Sequence, residues 1–166
     1  MRPRDYHSHW TVLIRQPGAR HWGPLHFRVP NQILDQGRQE AAATLYLGDR
    51  LRTYNVVAIG ASPQAATAKD QGCIVPLMQS ASAASTPLRK VGTVEPGGAS
   101  MTITATFTAQ DITQSVLSQG AGAPKQLVES ALHWDTTTGA ALYRVVYPTP
   151  LLLTGVELSI IVLVDV

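Results

Sequence analysis

Along much of this chain apolar and polar residues alternate one for one, the period of a strand whose successive side chains point to opposite faces. The clearest case is Met101-Thr-Ile-Thr-Ala-Thr-Phe-Thr108, with Met101, Ile103, Ala105 and Phe107 on one side and four threonines on the other. This spacing predicts a half-buried antiparallel strand with a hydroxylated outer face. Residues 156–166 obey the same rule with more apolar content. Val156, Leu158, Ile160, Val162, Val164 and Val166 share one face, Ile161 and Leu163 load the other, and no charge falls between Glu157 and Asp165. Such a segment is an aggregation hazard unless it is paired and covered, so it is expected to be built into a sheet. Shorter runs predict further strands at residues 9–15, 25–29, 43–47, 51–59, 73–79, 88–94 and 142–147.

Turn chemistry separates these runs, as in Gln16-Pro-Gly, Gly60-Ala-Ser-Pro63, Glu95-Pro-Gly-Gly98 and Tyr147-Pro-Thr-Pro150. One helix is expected over residues 111–118, where Ile112, Val116 and Leu117 have helical spacing. Thr108 and Asp111 can cap its start and Gly120 can end it. Residues 124–132 fit either a helix or a strand, and the Ala-, Ser- and Thr-rich stretches 61–71 and 79–87 read as loops. No repeat or linker divides the chain, so residues 1–166 form a single domain. Its expected class is all-β: a two-sheet antiparallel β-sandwich of jelly-roll type with one short helix in a loop.

Composition adds a second theme. Charged residues make up only 14% of the chain, with net charge +2, against about 25% in an ordinary soluble protein. A charge-poor surface near neutrality tends to associate. Residues 1–90 carry eleven Lys and Arg against five acids, whereas residues 91–166 carry two against six, a polarity suited to contacts between copies or with an anionic partner. The one cysteine, Cys73, lies among apolar neighbours, forms no intrachain disulfide and reads as an inert buried thiol. Residues 151–166, the longest apolar stretch, contain Glu157 and Asp165 and are too short for a spanning helix, so no membrane span is expected. The opening Met1-Arg-Pro-Arg-Asp-Tyr-His lacks the apolar core of a secretory signal, which implies synthesis in the cytoplasm.

Catalytic patterns are absent: there is no Gly-x-Ser-x-Gly elbow, and Pro24 stands where a phosphate loop begun at Gly18 would need lysine. His133 and Asp135 fall on the same side by alternation and read as a structural hydrogen bond. His7 and His9 share a strand face, but no cysteine or carboxylate completes a metal site, and neither a metal nor a cofactor is expected. The N-terminal region interleaves cations with aromatics. Arg4, Tyr6, Trp10, Arg20, Trp22 and Arg28 are candidate interface residues, since Trp, Tyr and Arg dominate binding hot spots. The same composition fits core tryptophans with arginines snorkelling around them, or stacking on nucleic acid. Ile161 and Leu163 complete the interface candidates, because the second apolar face of their strand needs cover.

The threonine-faced strand 101–108, the helix-like insertion 109–118 and the apolar closing strand 156–166 together resemble the small single-jelly-roll coat and virion proteins of icosahedral viruses and phages. That resemblance implies a non-enzymatic structural subunit of a virion or comparable particle. Its partners would be other copies of itself and other structural subunits, with nucleic acid a weaker candidate. Residues 102–147 also faintly resemble one class of chaperone–usher pilins, which implies a filament subunit. A glycan-binding β-sandwich using Trp22 or Trp134 as a stacking platform is the third alternative.

Overall fold

The computed structural model describes residues 8–46, 53–80, 82, 86–118 and 124–165. In chain order the elements begin β1 (Ser8–Arg15), β2 (Gly23–Pro30), β3 (Gln32–Ile33), α1 (Asp35–Tyr46), β4 (Val56–Gly60), β5 (Leu77–Met78) and β6 (Arg89–Val91). They continue with β7 (Thr93–Pro96), β8 (Ser100–Phe107), α2 (Ala109–Gln114), β9 (Val116–Leu117), β10 (Gln126–His133), β11 (Tyr143–Leu152) and β12 (Glu157–Asp165). Two five-stranded antiparallel sheets hold most of them, the first ordered β2-β1-β12-β8-β7 and the second β3-β11-β10-β4-β6, with a small β5-β9 ladder beside them.

The alternation read from the sequence explains why the sheets stack. Trp10, Val12, Phe107, Leu158, Ile160 and Val162 from the first sheet share one buried core with Val57, Ile59, Leu132, Tyr143, Val145 and Tyr147 from the second. The chain passes between sheets with little backbone. Asn31 alone separates β2 from β3, and Gly92 alone separates β6 from β7. A Cβ on Gly92 would stand 2.8 Å from the Ile103 side chain, so glycine suits that crossing.

The closing strand occupies the middle of the first sheet. It pairs with β1 from Arg15↔Glu157 to Ser8↔Val164 and with β8 from Leu158↔Phe107 to Asp165↔Ser100. Its backbone is therefore satisfied on both sides, which removes the edge hazard. Val166 lies outside the described residues. Strands 9–15, 25–29 and 101–108 are found near their expected limits, and of the ambiguous residues 124–132 those from Gln126 onward belong to β10.

Elsewhere the structure corrects the expectation. Residues 43–46 end helix α1 instead of forming a strand, while Leu47 lies outside the described residues. The helix formers Gln36, Arg38, Gln39, Glu40 and the alanines 41–43 favour this outcome. The predicted strand 51–59 is observed as Val56–Gly60, with residues 51 and 52 outside the described set. Of residues 73–79 only Leu77–Met78 are strand, because the preceding segment lies across a sheet face as described below. Helix α2 is capped at its start by Thr108, whose side chain and Asp111 form a reciprocal capping box, but it stops at Gln114, with Ser115 as its C-cap, before Val116 and Leu117 form β9. Gly120, the expected terminator, lies outside the described residues. Strand β11 runs beyond Tyr147 through Pro148 and Pro150, which sit where the ladder to β10 is broken between Val146 and Leu151. Prolines are tolerated there because no ladder donor is required.

Candidate functional site

The outer face of the first sheet is a flat field of threonine and aliphatic side chains. Alternation turns Leu158, Ile160 and Val162 inward, so Ser159, Ile161 and Leu163 face out. Ile161 lies between Thr11 and Thr104, Leu163 between His9 and Thr102, and Ser159 between Leu13 and Thr106. Thr11, Leu13, Thr102, Thr104, Ile161 and Leu163 are each half-buried. Charges stand only at the border. Arg15 and Glu157 form an ion pair at one end of β12, and Asp165 closes the other. Exposed Arg28 lies on the β2 edge, and exposed Glu95 extends the Leu163 row on β7.

The N-terminal candidates among the described residues differ in their surroundings. Trp10 is wholly buried in the core, so it presents no ring to a partner, and its indole Nε1 meets no hydrogen-bond acceptor among the described residues. Trp22 is half-buried, with the Arg15 guanidinium 4.7 Å from its ring centroid. That places the ring at the charged end of the sheet. Arg20 and Arg28 are exposed, and Arg28 adopts φ 53° in a bulge opposite Thr11, whose hydroxyl accepts its backbone N–H. Arg4 and Tyr6 lie outside the described residues, as does His7.

The outer face of the second sheet carries a site that the sequence reading missed. Glu129 on β10 and Arg144 on β11 are fully buried there, with Arg144 Nε donating to the Glu129 carboxylate at 2.8 Å. That carboxylate also accepts the backbone N–H groups of Ser62, Ile74 and Val75. Arg144 reaches Asp70 through Nη1 at 2.8 Å and the Gln64 carbonyl through Nη2 at 2.9 Å. Burial raises the Asp70 carboxyl, but the Thr67 donors and Arg144 outweigh it and hold the group below its usual range. Segment 61–76 is thus strapped across the sheet by a Glu–Arg–Asp chain. A signal existed in the sequence: Glu129 and Arg144 are lone charges inside apolar strands, and buried charges are normally paired.

Beside this strap, Gln36 and Glu40 of α1, Gly72, Cys73, Arg89 and His133 line a cleft of about 490 Å³. The Trp134 indole donates to Glu40 at 2.8 Å and ties α1 to the end of β10. His133 Nδ1 lies 3.1 Å from the Gly139 carbonyl, so that nitrogen carries the proton. Burial and then the Arg89 charge lower the His133 pKa to about 3. Asp135 is not its partner, contrary to the expected pair, because the Asp135 carboxylate accepts from Thr137 and Thr138. Those donors bring its pKa down to about 2. Burial, with Glu129 adding to it, pushes the Cys73 thiol well above its ordinary range. A protonated thiol and a neutral imidazole do not make a thiolate–imidazolium couple. Arg89 Nη1 donates to the carbonyls of Asp135 and Thr138, while its buried Nε has no partner among the described residues. Among the described residues no cluster of three or more His, Cys, Asp or Glu is placed to hold a metal ion.

No helix among the described residues is long and apolar enough to cross a membrane. No protein-family model, curated protein or solved structure matches the chain.

Proposed function

We propose that this chain is a non-enzymatic structural subunit of a virion or comparable self-assembling particle, acting by packing against other copies and other structural subunits. The observation that carries this reading is the outer face of the first sheet. Its central strand places Ile161 and Leu163, half-buried, between rows of threonine, with charges only at the border. Covering such a field removes apolar area from water without desolvating a charge, so association is favoured over solvation. The 14% charge content fits the same role. The two stacked antiparallel sheets, with chain crossings at Asn31 and Gly92, support a jelly-roll type of sandwich within this proposal. Cys73 held as a thiol and His133 held neutral fit a non-catalytic molecule. The glycan alternative gains little, since Trp22 lies under Arg15 and Trp134 is bonded to Glu40.

Electron microscopy of the purified chain, with light scattering across a range of concentration and salt, tests the proposal. Closed shells or discrete multimeric particles are expected. Filaments would favour the pilus-like alternative, and a monomer under every condition would overturn the assembly role.

A further inference from the structure

The same outer face indicates who covers it and in what orientation. Its strands run in the order β2-β1-β12-β8-β7, with β12 in the middle. The field on either side of β12 carries no Lys, Arg, Asp or Glu: His9, Thr11 and Leu13 on β1, Thr102, Thr104 and Thr106 on β8. The two edges differ in sign. Arg28 is exposed on β2 beside Thr11, and Glu95 is exposed on β7 in the Leu163 row. A surface with a neutral centre and opposite charges on opposite edges is complementary to itself under one operation.

We propose that two copies pack these faces together about a two-fold axis running along β12, so that Arg28 of each copy meets Glu95 of the other. The operation keeps positions along the strands and exchanges the two edges, bringing the β2 edge of one copy over the β7 edge of its partner. Arg28 stands level with the Thr11 row and Glu95 with the next row, an offset of about 6.8 Å along the strands. A long arginine side chain can bridge that offset. Ile161 of one copy lies over Ile161 of the other near the axis, away from any charge. Five strands about 4.8 Å apart and three rows of side chains give a face of roughly 24 by 20 Å, so a pair buries at most about 1,000 Å², the size of a weak, reversible contact. This places the contact in the class that edge charges can decide. The inference rests on the assembly reading above and names the partner that reading leaves general.

Sedimentation equilibrium of Arg28→Glu, Glu95→Arg and the double variant tests it. Each single reversal sets like charges against each other at both edges and is expected to weaken association about tenfold. The double variant restores opposite signs and is expected to recover it. A second measurement uses Ile161→Cys in a Cys73→Ser background with a short bismaleimide cross-linker, because sheets about 10 Å apart hold the paired Cα atoms beyond disulfide reach, and a covalent dimer is expected. Association that ignores both single reversals, or a double variant that does not recover, overturns the two-fold contact while the assembly reading stands. Absence of the Ile161→Cys dimer from an associating protein has the same meaning. Absence of self-association in the unmodified chain overturns both.

Discussion

Glu129 and Arg144 on one side and His133 on the other show two ways of burying a polar side chain. The Glu129 carboxylate is removed from water but surrounded by three backbone donors and the Arg144 guanidinium. Replacing Arg144 with Met leaves that carboxylate uncompensated and is expected to cost about 3–5 kcal/mol in chemical denaturation. His133 has the opposite character, a base kept neutral. Its pKa falls from 6.5 to about 3 in the fold. The unfolded chain therefore binds the proton first, and stability is lost as pH falls from about 6.5 toward 3. The loss between pH 7 and pH 5 is expected to be about 2 kcal/mol. His133→Asn, which can still donate to the Gly139 carbonyl, is expected to flatten this dependence in thermal melts across that range. At this scale the sequence was partly legible. Alternation placed Ile161 and Leu163 outward, but it could not show that Trp10 is core or that Glu129, at 129, and Arg144, at 144, meet across two strands.

Elements were legible where one face is dry and the other wet. The strand 101–108 and the Thr108–Asp111 cap were readable because period and capping chemistry act over a few residues. Thr108→Ala is expected to destabilise the protein by about 1 kcal/mol, measured by urea titration. Helix α1 was hidden because its apolar stripe is weak and the groups that dock it are distant in sequence. A Cβ on Gly37 would collide with the Ala141 carbonyl, the Tyr54 hydroxyl donates to the Gly37 carbonyl, and Trp134 holds Glu40. The helix is fixed by backbone approach and hydrogen bonds more than by an apolar face. Gly37→Ala improves intrinsic helix propensity, yet it is expected to lower stability by about 1–3 kcal/mol because the obstructing atoms are backbone. Segment 61–76 was unreadable for a related reason, since its order comes from Glu129 and Arg144, distant in sequence.

Across the whole molecule, the charge polarity between the two halves of the sequence is partly paired off by the fold. Arg15 pairs with Glu157 and Lys90 with Asp111, each joining a cation of the first half to an acid of the second, while Arg144 with Asp70 joins the minority charges of each. What survives on the first sheet is a neutral field with charges at its border. This field is the proposed meeting place of subunits. Sedimentation velocity of the unmodified chain beside an Ile161→Lys, Leu163→Lys variant tests it most directly, with near-ultraviolet circular dichroism reporting whether the core remains packed. Both side chains point away from the core, so a folded variant that sediments as a monomer is expected, while the unmodified chain sediments as an assembly. A folded variant that assembles like the unmodified chain would contradict it.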